Sequence, residues 1–400
     1  MENRHAKKLF YGGEANFKGN FIVKIYLSDK FVNGFDEAAL VLCKNNLDQL
    51  NKIDLKKFKF IIISLEIAGT FNDLKYKNIN NLIFKSKENI SFFKEGDLIE
   101  LSADGSLGRI FILYRMESSD NVIVPTNRCN NKCIMCPQPI YINESGTIDI
   151  SRIEKIFSLI DRQTNFLTIT GGEPTLLKES LIKILKICKN YLPNAKILLL
   201  TNGRMLSYIS FVDAINSVGL KFLELGIPIH SYYGKGHDSI TQVPDSFAQT
   251  IKAIKNLIAS KNNIEIRVVI QKNNYLDLTK IADFIIKEIP DVNRVSFIGM
   301  EALGWALKNI KDVWIPYQEI KDHLEKAVLK LLTHKVNVNI YNIPPCKVGE
   351  ILRPLCAKSI SDYKVRFLPE CNLCKEKENC GGIFYSSLRF IKEEGVIPIK

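Results

Sequence analysis

The stretch that most constrains this chain is Cys129-Asn-Asn-Lys-Cys133-Ile-Met-Cys136, three cysteines within eight residues, directly after the apolar run Asn121-Val-Ile-Val-Pro-Thr126. A C-x3-C-x2-C loop at a strand end offers three thiolates, which do not close a four-coordinate site. A structural zinc site takes four protein ligands, often as paired C-x2-C knuckles. An iron–sulfur cluster is also held by thiolates, and one bound by only three keeps an iron free for a substrate or cofactor. The loop alone leaves both metals open.

The scaffold for that loop is a chain of 400 residues, 46% hydrophobic and 24% charged, enough to bury a large core in two or three domains. No run of about eighteen apolar residues occurs, so no transmembrane helix is expected. The longest candidate, Phe60 to Gly69, is short and carries Glu66. Residues Met1 to Lys8 lead into no apolar signal region, and a cytoplasmic location is the expectation. Ten cysteines then point to metal or redox chemistry rather than disulfides, and eight of them fall within 129–136 and 346–380. Cys43 and Cys188 stand apart, and Cys188 sits in a helical apolar pattern as core packing. The net charge of +12 suits an acidic partner such as an acidic peptide. The lysines form no basic block, so a solvated surface is expected, with neither a nucleic-acid groove nor a membrane partner.

Residues 1–116 read as a strand-rich N-terminal domain of unassigned role, with apolar β-type runs at 21–27, 58–64, 97–101 and 109–114. Residues 117–335 alternate strand and helix. Strands are expected at 121–126, 166–170, 196–200, 222–228, 264–270 and 294–298. Helices are expected at 149–162, 175–190, 205–217, 245–259 and 276–289. Continuous apolar strands alternating with helices predict a parallel sheet covered by helices. Six such units predict a partial (βα)6 barrel, with an open doubly wound sheet as the alternative. No glycine-rich nucleotide fingerprint follows any strand. Residues 336–400 form a small cysteine-rich extension.

The polar loops fall where barrel enzymes keep their chemistry, beyond the C-terminal strand ends. The cysteine loop follows the first strand and Gly171-Gly172-Glu173-Pro174 the second. Thr201-Asn202-Gly203 follows the third and His230-Ser231 the fourth. Gly171 and Gly172 let the backbone approach a ligand closely, Glu173 offers a carboxylate, and Pro174 stiffens the turn. Asn202, Ser231 and Arg267 in the fifth strand are further candidates by position. His230, His237 and Asp238 read as second-layer or surface groups, and Tyr232 and Tyr233 as mouth-lining or packing groups.

The C-x3-C-x2-C loop, followed by Gly-Gly-Glu-Pro at the next strand end, resembles the radical S-adenosylmethionine (SAM) superfamily. The resemblance implies that Cys129, Cys133 and Cys136 hold a 4Fe–4S cluster whose remaining iron chelates SAM. It implies that Gly171, Gly172 and Glu173 contact the methionine part, with Glu173 accepting from its ammonium. Asn202 and Ser231 would reach the ribose or carboxylate, and Arg267 the carboxylate. It further implies reductive cleavage of SAM to a 5′-deoxyadenosyl radical that takes a hydrogen atom from the substrate.

Cys371-x2-Cys374-x5-Cys380-Gly-Gly resembles part of the SPASM or twitch extension, although Phe384 stands where the SPASM pattern continues with cysteine. This implies one auxiliary 4Fe–4S cluster on Cys346, Cys371, Cys374 and Cys380, with Cys356 spare or substitute. A structural zinc remains the alternative there. The strings Thr126 to Pro139, Ser359-Ile-Ser-Asp362 and Glu370 to Phe384 are similar to His-Xaa-Ser system maturases of the HxsC type. That similarity spans roughly residues 95 to 390. It implies a peptide or small-protein substrate with His-Xaa-Ser repeats, a second radical SAM protein as partner, and a reductase or flavodoxin-type electron donor. A radical SAM enzyme acting on a small molecule, and a non-catalytic zinc-stabilised binding protein, are the competing readings.

Overall fold

The computed structural model describes residues 10–27, 37–43, 52–67, 82–87, 89–138, 149–361 and 364–400. Met1 to Lys8, Pro139 and Asp362 lie outside the described residues. Seven strands form a closed barrel: β1 (Phe10–Ala15), β2 (Lys18–Tyr26), β3 (Ala38–Leu42), β4 (Phe60–Ile63), β5 (Leu82–Ser86), β6 (Leu98–Asp104) and β7 (Leu107–Tyr114). Their order is β1-β5-β4-β3-β2-β6-β7, with β2 to β5 paired parallel and the other contacts antiparallel. Ile25, Phe60, Phe84, Ile99 and Ile110 fill one cluster, with rings such as Phe17 and Phe60 edge-on at 5.5 Å. Leu40, Leu42, Ile61 and Ile63 turn the other way, into a second cluster around Phe58. Strands β3 and β4 are therefore buried on both faces, which is why they read as unbroken apolar runs.

The second assembly is an eight-stranded, wholly parallel sheet. It contains β8 (Val122–Thr126), β9 (Phe166–Gly171), β10 (Lys196–Leu200), β11 (Leu223–Pro228), β12 (Asn263–Ile270), β13 (Arg294–Gly299), β14 (Asn337–Tyr341) and β15 (Cys356–Ala357). The strands lie side by side in sequence order, with no reversal, so the doubly wound alternative is overturned. The six expected strands are present, and β14 and β15 extend them to eight. Helices α1 (Ile150–Leu159), α2 (Glu179–Tyr191) and α3 (Ile209–Ser217) connect successive strands from β8 to β11. Next come α4 (Gly234–Thr241), which the sequence reading missed, then α5 (Ser246–Ala259) and α6 (Leu278–Glu288). Between β13 and β14 lie α7 (Gly304–Lys308), α8 (Ile310–Val313) and α9 (Tyr317–Thr333). The expected helices at 175–190 and 205–217 each begin instead as a short 3-10 turn, Pro174–Leu177 and Arg204–Ser207.

Alternate strand residues serve opposite faces. Ile197, Leu199, Leu225, Ile227, Ile266, Val268 and Phe297 enter the main core with the helices. The other face carries charge. Glu224, 2% exposed, pairs with Arg294 at 2.5 Å and Lys196 at 2.6 Å. Glu265, 1% exposed, pairs with Arg267 at 2.8 Å and accepts from Ser296 Oγ at 2.5 Å. Buried carboxylates persist only when partnered in this way. The two assemblies are joined by a bidentate Arg152–Glu100 bridge and by Tyr114 Oη with Thr164 Oγ1 at 2.9 Å. Among the described residues, no helix is long and apolar enough to cross a membrane.

After β15, residues 356–400 contain a two-stranded pair, β16 (Val365–Arg366) with β17 (Ile383–Phe384), and a final helix, α10 (Leu388–Glu394).

Candidate metal and cofactor site

The cysteine loop leaves β8 and is fixed from four sides. On the β9 side, Gly172 N–H donates to Thr126 O at 2.9 Å and Glu173 N–H to Arg128 O at 2.7 Å. A Cβ at Gly171, whose φ is +140°, would sit 2.3 Å from Thr126 O, and one at Gly172 would sit 2.2 Å from Arg128 O. The close approach predicted for these glycines is thus to the chain's own cysteine loop. On the β10 side, Arg204 reaches across 74 and 73 residues to donate to Asn130 O at 2.5 Å and Asn131 Oδ1 at 2.9 Å. Gln249 Oε1 accepts from Arg204 Nε at 2.7 Å and keeps the guanidinium aimed. On the outer rim, Cys136 O accepts from Trp305 N–H at 2.9 Å and Ala306 N–H at 3.3 Å, while Asn309 Nδ2 donates to Ile134 O at 2.9 Å. Lys132 and Ile134 N–H donate to the carbonyls of Thr241 and Ile240 at the end of α4.

Cys129 is exposed, and Cys133 and Cys136 are half-buried. Although Cys129 as a residue is exposed, desolvation of its sulfur by the protein packed around it pushes the thiol up to about 11, with Glu173 and Cys136 adding repulsion and Arg204 opposing it. Burial, then Cys136 and Cys129, pushes Cys133 up to about 12, and burial also raises Cys136. Thiols that repel one another in a desolvated loop are the donor set a cationic metal centre satisfies, because binding replaces their protons. Among the described residues no three His, Cys, Asp or Glu side chains are arrayed to hold a single metal ion. A tetrahedral zinc would draw its sulfurs to ~3.8 Å of one another. The loop fits a cluster in its donor chemistry: three thiols, with Asn131 N–H donating to Cys129 Sγ at 3.4 Å.

Glu173 is 1% exposed, and four donors meet its carboxylate. Oε1 accepts from Thr175 N–H at 3.0 Å, from Thr175 Oγ1, and from Thr201 Oγ1 at 2.6 Å, while Oε2 accepts from Asn202 N–H at 2.6 Å. Burial raises its pKa and these hydrogen bonds oppose the rise. The carboxylate therefore ties the ends of β9 and β10 together beneath Cys129, with acceptor capacity left on Oε2. Asn202 is similarly engaged, donating from Nδ2 to Asn130 Oδ1 at 2.7 Å and accepting from Arg204 N–H at 3.0 Å.

Ser231 is buried one residue beyond His230, and Arg267 lies on the charged sheet face, held by Glu265 and stacked over Tyr341 at 5.6 Å. Backbone register sets Pro228 of β11 beside Arg267 of β12. His230 and His237 are buried with ring centroids 5.1 Å apart. Burial holds His230 well below the ordinary histidine range and brings His237 down to about 4. They are neutral packing groups. Asp238 starts α5 by accepting from Asp245 N–H, Phe247 N–H and Ser246 Oγ at 2.7–2.8 Å. Tyr232 packs against the main core under Lys280, and Tyr233 is 44% exposed. Cys43 and Cys188 are buried in cores, as expected of Cys188.

The sequence reading missed Arg204, Thr175, Thr201 and Asn309. Thr201 stood in a quoted loop, whereas nothing local marks Arg204 or Asn309.

In the C-terminal region Cys346, Cys371, Cys374 and Cys380 line one cavity with Pro344 and Pro345, and Cys356 is not part of its lining. Gly382 N–H donates to Cys380 Sγ at 3.2 Å and Ile399 N–H to Cys374 Sγ at 3.4 Å. Cys356 Sγ instead donates to Leu352 O at 3.8 Å. Burial, followed by repulsion from Cys380, raises Cys346 to about 11.

Comparison with known proteins adds the following. Residues 123–285 match the family described as "Radical SAM superfamily". Among curated relatives, a GTP 3′,8-cyclase of Alkaliphilus metalliredigens is 27% identical over 231 residues, 56% of this chain and 68% of the relative. The antilisterial bacteriocin subtilosin biosynthesis protein AlbA of Bacillus subtilis is 32% identical over 152 residues, 37% of this chain and 32% of the relative. Among solved structures, Streptococcus suis SuiB bound to precursor peptide SuiA aligns with TM-score 0.45 and 16% identity, over 57% of this chain and 49% of that one. The chain thus spans about half the length of that structure.

Proposed function

Residues 123–285 match the radical SAM superfamily, and from that premise we propose that the protein modifies a ribosomally made peptide or small protein by radical chemistry. The family match and the relatives together support a radical SAM enzyme. The observation that carries the reading is the direct backbone pairing of the cysteine loop with the Gly-Gly-Glu turn, through Gly172 and Glu173 N–H. Cys129, Cys133 and Cys136 would hold a 4Fe–4S cluster, and Gly171, Gly172, Glu173, Asn202, Ser231 and Arg267 would surround SAM. Together these groups supply one-electron reduction of the SAM sulfonium and hydrogen-atom removal from an unactivated C–H bond. The chain's own contribution is position: Arg204 and the Glu173 carboxylate fix the loop, and the buried strand ends keep water out.

Cys346, Cys371, Cys374 and Cys380 would hold one auxiliary 4Fe–4S cluster. Their shared cavity supports that set, with Cys356, whose thiol is raised by burial and then by Cys380 and Cys346, as the spare or substitute. The peptide reading is supported by this second thiol group and by the likeness to AlbA, a bacteriocin biosynthesis protein. A His-Xaa-Ser repeat substrate, a second radical SAM protein as partner, a flavodoxin-type donor, a cytoplasmic location and the three domains 1–116, 117–335 and 336–400 belong to the same proposal. Anaerobic iron and sulfide quantification with each cysteine group replaced in turn tests it: two clusters, one lost with each group, are expected. Co-expression with the repeat peptide should then change the peptide's mass, and an unchanged mass despite SAM turnover would overturn the peptide assignment.

A small-molecule substrate is the second reading, favoured by the GTP 3′,8-cyclase relative that aligns with 56% of the chain. Release of 5′-deoxyadenosine with a metabolite extract, but with no peptide, would decide for it. A colourless, zinc-loaded, sulfide-free protein would decide for the non-catalytic alternative.

A further inference from the structure

We propose that the outer surface of α7 and α8, with the neighbouring Lys272, is the docking site of an acidic one-electron carrier protein. The inference rests on the radical SAM reading, since reductive cleavage consumes one electron per turnover. The carrier is oxidised by one electron and the sulfonium C–S bond is reduced. Methionine would be released, the adenosyl fragment would leave as 5′-deoxyadenosine after taking one hydrogen atom from the substrate, and the substrate radical would lose a proton and one electron as its new bond forms, the electron going to the auxiliary cluster proposed above for Cys346, Cys371, Cys374 and Cys380.

The location follows from what α7 holds. Trp305 and Ala306 N–H both bond Cys136 O, and Asn309 bonds Ile134 O, so this segment is the wall directly outside the thiol loop. Gly304, with φ +58°, presses so closely that a Cβ there would sit 2.0 Å from Gln138 O. The inner side is packed: Ala306 and Val313 join Met135, Ile240 and Met300 in a small cluster that touches Cys133.

The outer side is left bare. Leu303, Trp305 and Leu307 are 36–39% exposed around that short turn of helix. Lys308 stands 4.5 Å over the Trp305 ring, and Lys272 Nζ donates to Lys311 O at 3.2 Å, which brings a third lysine to the patch. Against Lys272, Lys308 and Lys311, all exposed, residues 303–313 contribute a single carboxylate, Asp312. Nearby Glu301 is turned away to Lys364 at 3.0 Å. An aromatic centre rimmed by lysines is the composition of a transient interface, steered by opposite charge and anchored by a ring. Electron transfer decays steeply with distance, and a carrier seated on α7 sits against the segment that bonds the carbonyls of Cys136 and Ile134 directly.

Flavodoxin is the probe. Its binding to the purified protein should weaken with rising salt and weaken about 10-fold more in the double variant Lys308→Glu, Lys311→Glu. In parallel, 5′-deoxyadenosine formation driven by reduced flavodoxin should fall by about the same factor, while the dithionite-driven rate stays unchanged. Unaltered flavodoxin binding in the double variant overturns the proposal. So does an equal loss with both reductants, which would make the lysines structural. So does weakened binding of a substrate peptide in place of flavodoxin. If dithionite yields no 5′-deoxyadenosine with the unaltered protein, the radical SAM reading fails, and the binding arm still judges the surface.

Discussion

Two β assemblies in this chain solve the same burial problem in opposite ways. The β1–β7 barrel closes on itself around Phe60, Phe84 and Ile25, so that each of its seven strands has a neighbour on both sides. The β8–β15 sheet stays open, with its edges at β8 and β15. Its helix-facing side is as apolar as the barrel, but its other side carries Glu224, Glu265, Arg267 and Arg294. The difference teaches where chemistry can be put. A barrel packed shut with rings has stability and no room, whereas an open parallel sheet offers a polar surface and strand ends that deliver loops to one rim.

The largest expected effect separates the two outright. Cys129→Ala should abolish iron incorporation at the loop and bring 5′-deoxyadenosine below detection, while circular dichroism and the unfolding of the barrel stay as they were. Loss of both together would mean the assemblies are not independent. Phe60→Ala is the converse. Truncating this fully buried ring should cost about 3–5 kcal/mol in denaturant unfolding, with iron content per folded molecule unchanged.

Acid should distinguish the assemblies more gently. Among the described residues the histidines all lie between His230 and His334, none in the barrel. His237 has its folded pKa lowered from 6.5 to about 4, and His230 is lowered as well. The unfolded chain therefore binds more protons than the folded one below pH 6.5. Stability should be full above that value and decline as pH falls from 6.5 toward 4, by about 3 kcal/mol for His237 alone. Urea midpoints across that window, compared with a His237→Phe variant whose slope should flatten, check it. The smallest effect is the most local. Arg204→Ala removes the bonds to Asn130 and Asn131 and should loosen the loop by about 2 kcal/mol, seen as faster iron loss to a chelator with little change in global unfolding.

The alternating elements from β8 to β13 were readable because strands buried between helices appear as short apolar runs at regular spacing. Strand β14, Asn337-Val-Asn-Ile-Tyr341, alternates polar and apolar because Val338 and Ile340 enter the helix-packed core while Asn339 lies on the charged side with Glu224 and Arg294, so it lacks the unbroken apolar run of its neighbours. Strand β15 is two residues long and carries no pattern. In the barrel, Ala38-Ala-Leu-Val-Leu42 is apolar at every position, a run that periodicity cannot separate from a buried helix, and β1 contains Gly12-Gly13. At the site, the residue types and their strand-end positions were legible. What holds them was not. The glycines of the Gly-Gly-Glu turn accommodate the cysteine loop's own carbonyls, and Arg204 and Asn309 act across 73–175 residues, a distance no local pattern encodes.

That last separation bears on how the protein is made. Asn309 grips Ile134 across 175 residues of sequence. At ordinary elongation rates of 5–20 residues per second, roughly 10–35 seconds pass between synthesis of the thiol segment and arrival of its clamp. During that interval the cysteine segment lacks its outer clamp, although the contacts from Gly172, Glu173 and Arg204 are synthesised sooner. Whatever reacts with or binds those thiols has its freest access then, before the later helices close the rim.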